Sequence, residues 1–318
     1  MSLICWVVTD GKVGMENQCV AVARRLGLDP IIKRVKMRAP WKQLSPWGLR
    51  LGNRWSLSSD GDQLDGPLPD ILIATGRHSV TSSLAIRDLT RGKCLRVQIQ
   101  NPGIDAKNFD LVVVPRHDRL SGPNVLVTRG APHGVTPERL AEAKEKFAPR
   151  LAHLPPPRIA LLLGGNNGVY KLTELAARNL AECLSTVARG NHGSVMVTPS
   201  RRTGAAIEAL FKERLAGVAG EFWDGTGDNP YLAYLAYADH IVVTADSVNM
   251  VCEAASTGKP VHVVPLDGGS EKFRRFHDGL VEDGVTRPFH GTLDSWTYPT
   301  FDDAGVVAER IKGLLAQR

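Results

Sequence analysis

The chain has 318 residues and 34.5 kDa, 43% of it apolar, 23% charged and 6% aromatic. That composition excludes disordered, collagen-like and disulfide-dense classes and is long enough for two hydrophobic cores. The net charge of +6 is unevenly spread, with 23 Lys and Arg against 14 Asp and Glu in residues 1–150 and 16 against 19 in residues 151–318.

The first apolar run, Leu3 to Val8, is too short for a signal h-region and lacks a basic n-region, so it reads as the first strand of a cytoplasmic protein. Short apolar runs then alternate with helical patterns, the rhythm of βαβ units around a parallel sheet. Strands are expected at Ile31 to Val35, Ile71 to Ala74, Cys94 to Ile99, Leu111 to Val114 and Val125 to Thr128. Helices fit Glu16 to Leu26, His78 to Leu89 and Pro137 to Phe147. Pro149, Pro155, Pro156 and Pro157 then argue against regular structure over 148–158, which places a domain boundary near residue 150. Beyond it the rhythm restarts, with strands at Ile159 to Leu163, Ser194 to Thr198, Glu221 to Trp223, His240 to Thr244 and Val261 to Val264. Helices are expected at Leu172 to Ala188, Gly204 to Leu215, Pro230 to Ala238 and Val248 to Thr257, and an amphipathic surface helix at Asp302 to Leu315. Two Rossmann-like domains follow, residues 1–150 and 151–318, and in such folds ligands collect at the carboxyl ends of strands.

Three of those strand ends carry residues suited to an anionic ligand. Thr9-Asp10-Gly11-Lys12 follows the first strand, and a carboxylate there can accept a proton from a sugar hydroxyl or can simply shape the turn. Gly164-Gly165-Asn166-Asn167-Gly168 reads as a backbone cradle opening a helix, with Ser200-Arg201-Arg202 after the next strand as cationic support. Thr244-Ala245-Asp246-Ser247 ends a buried strand, and Ser247 is placed to cap a helix whose free N–H groups would face a diphosphate, with Met250 in its first turn. Glu253, further along that helix, could accept from ribose hydroxyls or be an ordinary surface residue. Neither G-x-G-x-x-G nor a Walker loop occurs, which weakens dehydrogenase and ATPase readings. His117-Asp118 and His133 are loop histidines able to serve as a base or phosphate donor, or to pack.

Other features are open to more than one reading. Between Pro30 and Ser59 seven cations meet no acidic residue and alternate with Trp41, Trp47 and Trp55. The readings, in descending order, are a solvated loop, contact with an anionic membrane or lipid-linked acceptor, and nucleic acid. Asp60-Gly61-Asp62 spells a metal-binding D-x-D but sits in a Ser-rich turn. The five cysteines lie apart without a C-x-x-C pair, as buried reduced thiols would, and no metal-ligand spacing appears.

Taken together, Asp10-Gly11-Lys12-x-Gly14-x-x-Asn17-Gln18, Ile99-Gln100-Asn101-Pro102, Pro115-Arg116-His117-Asp118, Leu163-Gly164-Gly165, Ser200-Arg201-Arg202-Thr203, Asn229-Pro230-Tyr231, Thr244-x-Asp246-Ser247-x-x-Met250-x-x-Glu253-Ala254, Gly258-Lys259-Pro260-Val261 and Arg287-Pro288-Phe289 resemble the elongated-mitochondria-factor-like mitochondrial fission family. Its bacterial members are regarded as glycosyltransferases. The resemblance implies a GT-B glycosyltransferase-like fold, two Rossmann-like domains facing each other across a cleft. The N-terminal domain would hold a cell-envelope lipid or glycan acceptor and the C-terminal one a nucleoside-diphosphate sugar, as co-substrate, with no cofactor and no essential metal. It makes Asp10 a base candidate by position, and the loop histidine His117 joins it as a catalytic candidate from its own context. The resemblance makes Gly165, Arg201, Ser247 and Glu253 donor-site candidates, and the local reading of the same loops adds Gly164, Asn167, Ser200, Arg202, Thr244, Asp246 and Met250. The expected place of work is the cytoplasm or the inner face of the cytoplasmic membrane. The rival readings are a non-catalytic scaffold for a membrane or protein partner, as in the plant relatives, and a nucleotide-sugar epimerase of the same fold.

Overall fold

A computed structural model of the chain describes residues 3–44 and 56–318. Two compact units are present, Val135–Phe301 forming one and the chain up to Gly134 together with Asp302–Arg318 forming the other.

The first unit is built from β1 (Cys5–Thr9), α1 (Val13–Arg25), β2 (Ile31–Arg34), α2 (Trp41–Leu44), β3 (Ile71–Thr75), α3 (Ser79–Leu89), β4 (Leu95–Ile99), β5 (Leu111–Pro115) and β6 (Val125–Thr128). Its parallel sheet has the order β2-β1-β3-β4-β5-β6. β1, β3, β4 and β5 are buried along their whole length, which is why β1, β3 and β5 read as largely apolar runs; β4 alternates, burying Arg96 and Gln98 with its apolar residues. β2 lies on one side of β1 and β3 on the other, so the order reverses between β1 and β3.

The second unit contains α4 (Pro137–Lys146), α5 (Ala148–Leu151), β7 (Arg158–Leu163), β8 (Tyr170–Lys171), α6 (Glu174–Gly190), β9 (Ser194–Pro199), α7 (Ala205–Arg214), β10 (Ala219–Phe222), α8 (Tyr231–Tyr237), β11 (His240–Thr244), α9 (Val248–Ala255), β12 (Val261–Val264), β13 (Asp267–Gly268), α10 (Glu271–Glu282) and β14 (Thr286–Pro288). The order of its six-stranded parallel sheet is β10-β9-β7-β11-β12-β14, and β8 with β13 forms a separate antiparallel pair. Here the reversal falls between β7 and β11, where Ile159 to Leu162 lie opposite His240 to Val243. A crevice at such a reversal is where open α/β sheets receive ligands. Last in the chain, α11 (Asp303–Ala316) returns to the first unit.

These units correct the boundary expected from sequence. α4 packs against α8, so residues from Val135 onward belong to the second unit and the proline-rich stretch lies inside it. Pro149 falls in the first turn of α5, where its missing N–H costs nothing, so a short helix forms where prolines argued against one. α11 is not simply a surface helix of the second domain. Ala304, Val307 and Ile311 are fully buried in the first unit's core beside Cys19 and Val22 of α1. Asp303 anchors it by accepting from the Arg129 and Gly130 backbone N–H groups at 3.2 and 2.7 Å. Burial pushes the Asp303 carboxyl up to about 6, against those two hydrogen bonds.

Candidate functional site

The carboxyl ends of β7, β9 and β11 are knitted together by one buried carboxylate. Asp246 accepts from Thr244 Oγ1 at 2.7 Å and from the Gly165 N–H at 3.1 Å, and its side chain is fully buried against Arg202 Nη2 at 2.7 Å. Thr244 Oγ1 in turn accepts from the Gly164 N–H at 2.8 Å, and Thr203 Oγ1 donates to the Gly164 carbonyl at 2.5 Å. The glycines are dictated by this crowding. A Cβ on Gly164 would stand 2.0 Å from Asp246 Oδ1, and one on Gly165 would stand 2.1 Å from the Arg202 carbonyl oxygen.

This geometry reassigns part of the expected cradle. Gly164 and Gly165 spend their N–H groups on Thr244 and Asp246, and the Arg202 guanidinium is spent on Asp246, so these residues brace the strand ends. Asn167 is committed too, donating to the Asp246 carbonyl while its Oδ1 accepts from the Val169 and Tyr170 N–H groups. Nor does the glycine loop open a helix. It leads into β8, and α6 starts only after Thr173, whose hydroxyl accepts from the Ala176 N–H. Ser200 Oγ accepts from the Arg202 N–H within its own turn, while Arg201 is exposed.

What the brace holds in place is the start of α9. Ser247 adopts extended backbone angles and its Oγ accepts from the Met250 N–H at 3.4 Å. The cap uses one of the orphan N–H groups of the first turn, and the helix dipole concentrates positive potential there. Ser247, Val248, Asn249 and Met250 are all partly exposed. On the same helix, Glu253 Oε2 accepts from Tyr231 Oη of α8 at 2.5 Å. Burial pushes the Glu253 carboxyl up to about 7, while the Tyr231 hydrogen bond and the charge of Arg139 oppose the rise. Tyr231 and Thr203 are participants that sequence reasoning did not place at the site, while Asn166 of the expected cradle accepts from the Leu172 N–H. The Asn229-Pro230-Tyr231 motif was the available signal for the first.

In the first unit Asp10 follows β1 and its two oxygens accept from the Lys12 N–H at 3.4 Å and Lys12 Nζ at 2.7 Å. His117 is buried beside Asp118, with Nε2 3.7 Å from the carboxylate, and His133 is buried as well. The Asp60-Gly61-Asp62 turn is tied down, Asp62 accepting from the Arg34 N–H at 2.7 Å. Among the described residues no group of three His, Cys, Asp or Glu side chains is placed to hold a metal, and no helix is long and apolar enough to cross a membrane. In the basic segment Lys33 pairs with Asp65 and Arg34 with Glu16, so acidic partners absent from the local sequence arrive through the fold. Trp47, Arg50, Arg54 and Trp55 lie outside the described residues.

Comparison with known proteins is consistent over the whole chain. The mitochondrial fission protein ELM1 of Arabidopsis thaliana is 30% identical over 391 residues, covering 98% of this chain and 91% of that protein. Among solved structures, UDP-GlcNAc 2-epimerase from Methanocaldococcus jannaschii superposes with a TM-score of 0.58 at 12% identity, covering 99% of each chain. The Neisseria meningitidis UDP-GlcNAc 2-epimerase, bound to UDP-GlcNAc, gives 0.53 at 14% identity, covering 99% of this chain and 100% of that one. MurG of Acinetobacter baumannii gives 0.52 at 16% identity over 98% and 90% of the two chains. The fold is thus that shared by GT-B glycosyltransferases and these epimerases. The family model described as mitochondrial fission ELM1 matches residues 13–315, and the chain belongs to that family.

Proposed function

We propose that the second unit binds a uridine-diphosphate sugar and that the protein transfers the sugar to a cell-envelope lipid or glycan acceptor. The observation that carries this reading is the capped, partly exposed start of α9 at the strand-order reversal, held rigidly by the Asp246 brace. A diphosphate there meets the positive end of the helix dipole at a partly exposed turn, with exposed Arg201 as a further cation. Glu253, oriented by Tyr231, accepts a ribose hydroxyl. The UDP-GlcNAc held by the Neisseria epimerase supports the choice of nucleotide.

In the transfer step the acceptor oxygen forms a bond to the anomeric carbon, the bond from that carbon to the diphosphate breaks, and the diphosphate leaves with the electron pair. The acceptor proton goes to a carboxylate, for which Asp10 is our assignment. Stabilising the departing charge at the α9 N-terminus supplies the electrostatic part of catalysis. The test is a thermal-shift panel of the purified protein with UDP, GDP, ADP, CMP and their sugars. UDP and its sugars should raise the melting temperature by mass action, and Glu253→Ala should remove most of the rise. Silence across the panel would refute the reading and favour a non-catalytic scaffold. Appearance of an epimerised UDP-sugar without any acceptor would replace transfer by epimerisation.

A further inference from the structure

In the first unit the strand order reverses between β1 and β3, and three segments meet at the carboxyl ends of those strands. The loop after β1 carries Asp10 and Lys12, the loop from β3 into α3 carries Gly76, Arg77 and His78, and α2 carries Lys42. Contacts fix them side by side. A Cβ on Gly76 would stand 3.9 Å from Asp10 Cγ, and Arg77 Nη2 donates to the Gln43 carbonyl at 3.3 Å, which ties α2 to the β3 loop. The fields of these groups converge on His78. Burial is the main cause that lowers its pKa, Asp10 opposes the fall, and Lys12, Lys42 and Arg77 add to it. The half-buried ring is therefore neutral at pH 7 and faces three cations against one carboxylate, an excess of two positive charges.

Lys12, Lys42 and Arg77 are all exposed, Lys12 with 69% of its side chain, so a dissolved ligand can reach them. The fold answers neighbouring cations with carboxylates. Lys33 pairs with Asp65, and Arg34, whose Cδ lies 4.0 Å from a Cβ built on Gly11, donates Nε and Nη2 to Glu16 at 2.7 Å each. Lys12 Nζ holds the Asp10 carboxylate at 2.7 Å, whereas no carboxylate among the described residues pairs with Lys42. The start of α3 adds the positive end of its dipole. An excess of two positive charges beside a candidate base matches a phosphate ester, which carries about −1.5 to −2 at neutral pH, and a neutral hydroxyl acceptor would use none of it. We propose that the acceptor of the transfer is a phosphate ester, its phosphate held by Lys12, Lys42 and Arg77 and its attacking hydroxyl set at Asp10. The inference rests on the transfer reading and names the class of acceptor.

Titration calorimetry of the full chain with glycerol 3-phosphate and with glycerol tests it, UDP being kept in excess to occupy the second unit. The phosphate ester should bind and glycerol should not. Lys42→Gln and Arg77→Gln should each weaken it about fivefold, while Lys42→Arg, Arg77→Lys and Arg91→Gln, beyond the far end of α3, should stay within about twofold. Asp10→Asn removes the carboxylate beside Lys12 and should tighten it about twofold to fivefold, and no change there would place the phosphate away from the base. Sedimentation with phosphatidylcholine vesicles separates the two sources of such a phosphate. Binding to vesicles that contain phosphatidic acid, but not to those that contain phosphatidylserine, assigns it to a lipid; binding of glycerol 3-phosphate alone assigns it to a soluble ester, and both results support the site. No binding in either arm, equal binding to phosphatidylserine, or an affinity that Lys42→Gln and Arg77→Gln leave unchanged would overturn it. UDP is also titrated by itself. Phosphate binding by a chain that does not bind UDP would keep the anion site and strike its role in transfer, and UDP binding without phosphate binding would strike the site and keep the nucleotide reading.

Discussion

Replacing Asp246 by alanine tests whether the brace at the strand ends is structural. The substitution removes an acceptor from the buried Gly165 N–H and from the Thr244 hydroxyl, and releases Arg202. Stranding the buried N–H costs about 1–3 kcal/mol and the lost hydroxyl bond about 1 kcal/mol. The arginine is 38% exposed in its side chain, so water replaces most of what it loses and the ion pair adds little. The expected destabilisation is about 3 kcal/mol, which at about 2–4 °C per kcal/mol lowers the melting of the second unit by about 6–12 °C. Differential scanning calorimetry without ligand reads this directly. Asp246→Asn keeps a side-chain acceptor in place and should lose about half as much. A drop below about 2 °C for the alanine variant, accompanied by loss of nucleotide binding, would show that Asp246 is a ligand group rather than a brace.

Other consequences follow from burial and titration. Ile311→Ala should cost about 2–5 kcal/mol and lower the melting of the first unit while sparing the second, because α11 completes the first core; a shift confined to the second unit would refute that allocation. His262 is 2% exposed beside His240, and burial, the leading cause, pulls it down to about 4. Its contribution to stability is fully present above the unfolded value near 6.5 and is lost as pH falls toward 4, by at most about 3 kcal/mol. Raised carboxyls such as Asp303 act in the opposite direction, so the difference between the unaltered protein and His262→Phe isolates the effect, and denaturation curves that stay parallel from pH 7 to 4 would contradict it. Because Glu253 is pushed up to about 7, UDP affinity should rise between pH 6 and 8 as the carboxylate ionises, and Glu253→Gln should flatten that rise. Burial pushes the Cys5 and Cys94 thiols up to about 12, so Cys183, the partly exposed cysteine, should react first with a thiol reagent, as peptide mapping would show.

Local chemistry was well written in the sequence. The apolar run His240 to Thr244 followed by Asp246-Ser247 announces a buried strand and a capped helix, and both form over nearly the expected residues. The roles of Gly164, Gly165 and Arg202 were not legible, because the group that claims them, Asp246, lies far along the chain. Glycine spacing announces close approach without saying what approaches. The same distance hides the pairing of Tyr231 with Glu253 and the return of α11 to α1. α10 is a different case. Ser270 caps it and Phe273, Phe276 and Leu280 mark an apolar stripe, but Arg274, Arg275 and Asp278 between them dilute the signal of a connecting helix. β14, at three residues with a proline, has too little pattern to be read as an edge strand.

Crystallising the protein with the tightest-binding UDP-sugar tests the central claim most directly. The diphosphate should lie at the Ser247–Met250 turn with a ribose hydroxyl on Glu253, while Asp246 keeps its bonds to Gly165 and Arg202. A nucleotide bound elsewhere, or a diphosphate coordinated through a displaced Arg202, would contradict the account.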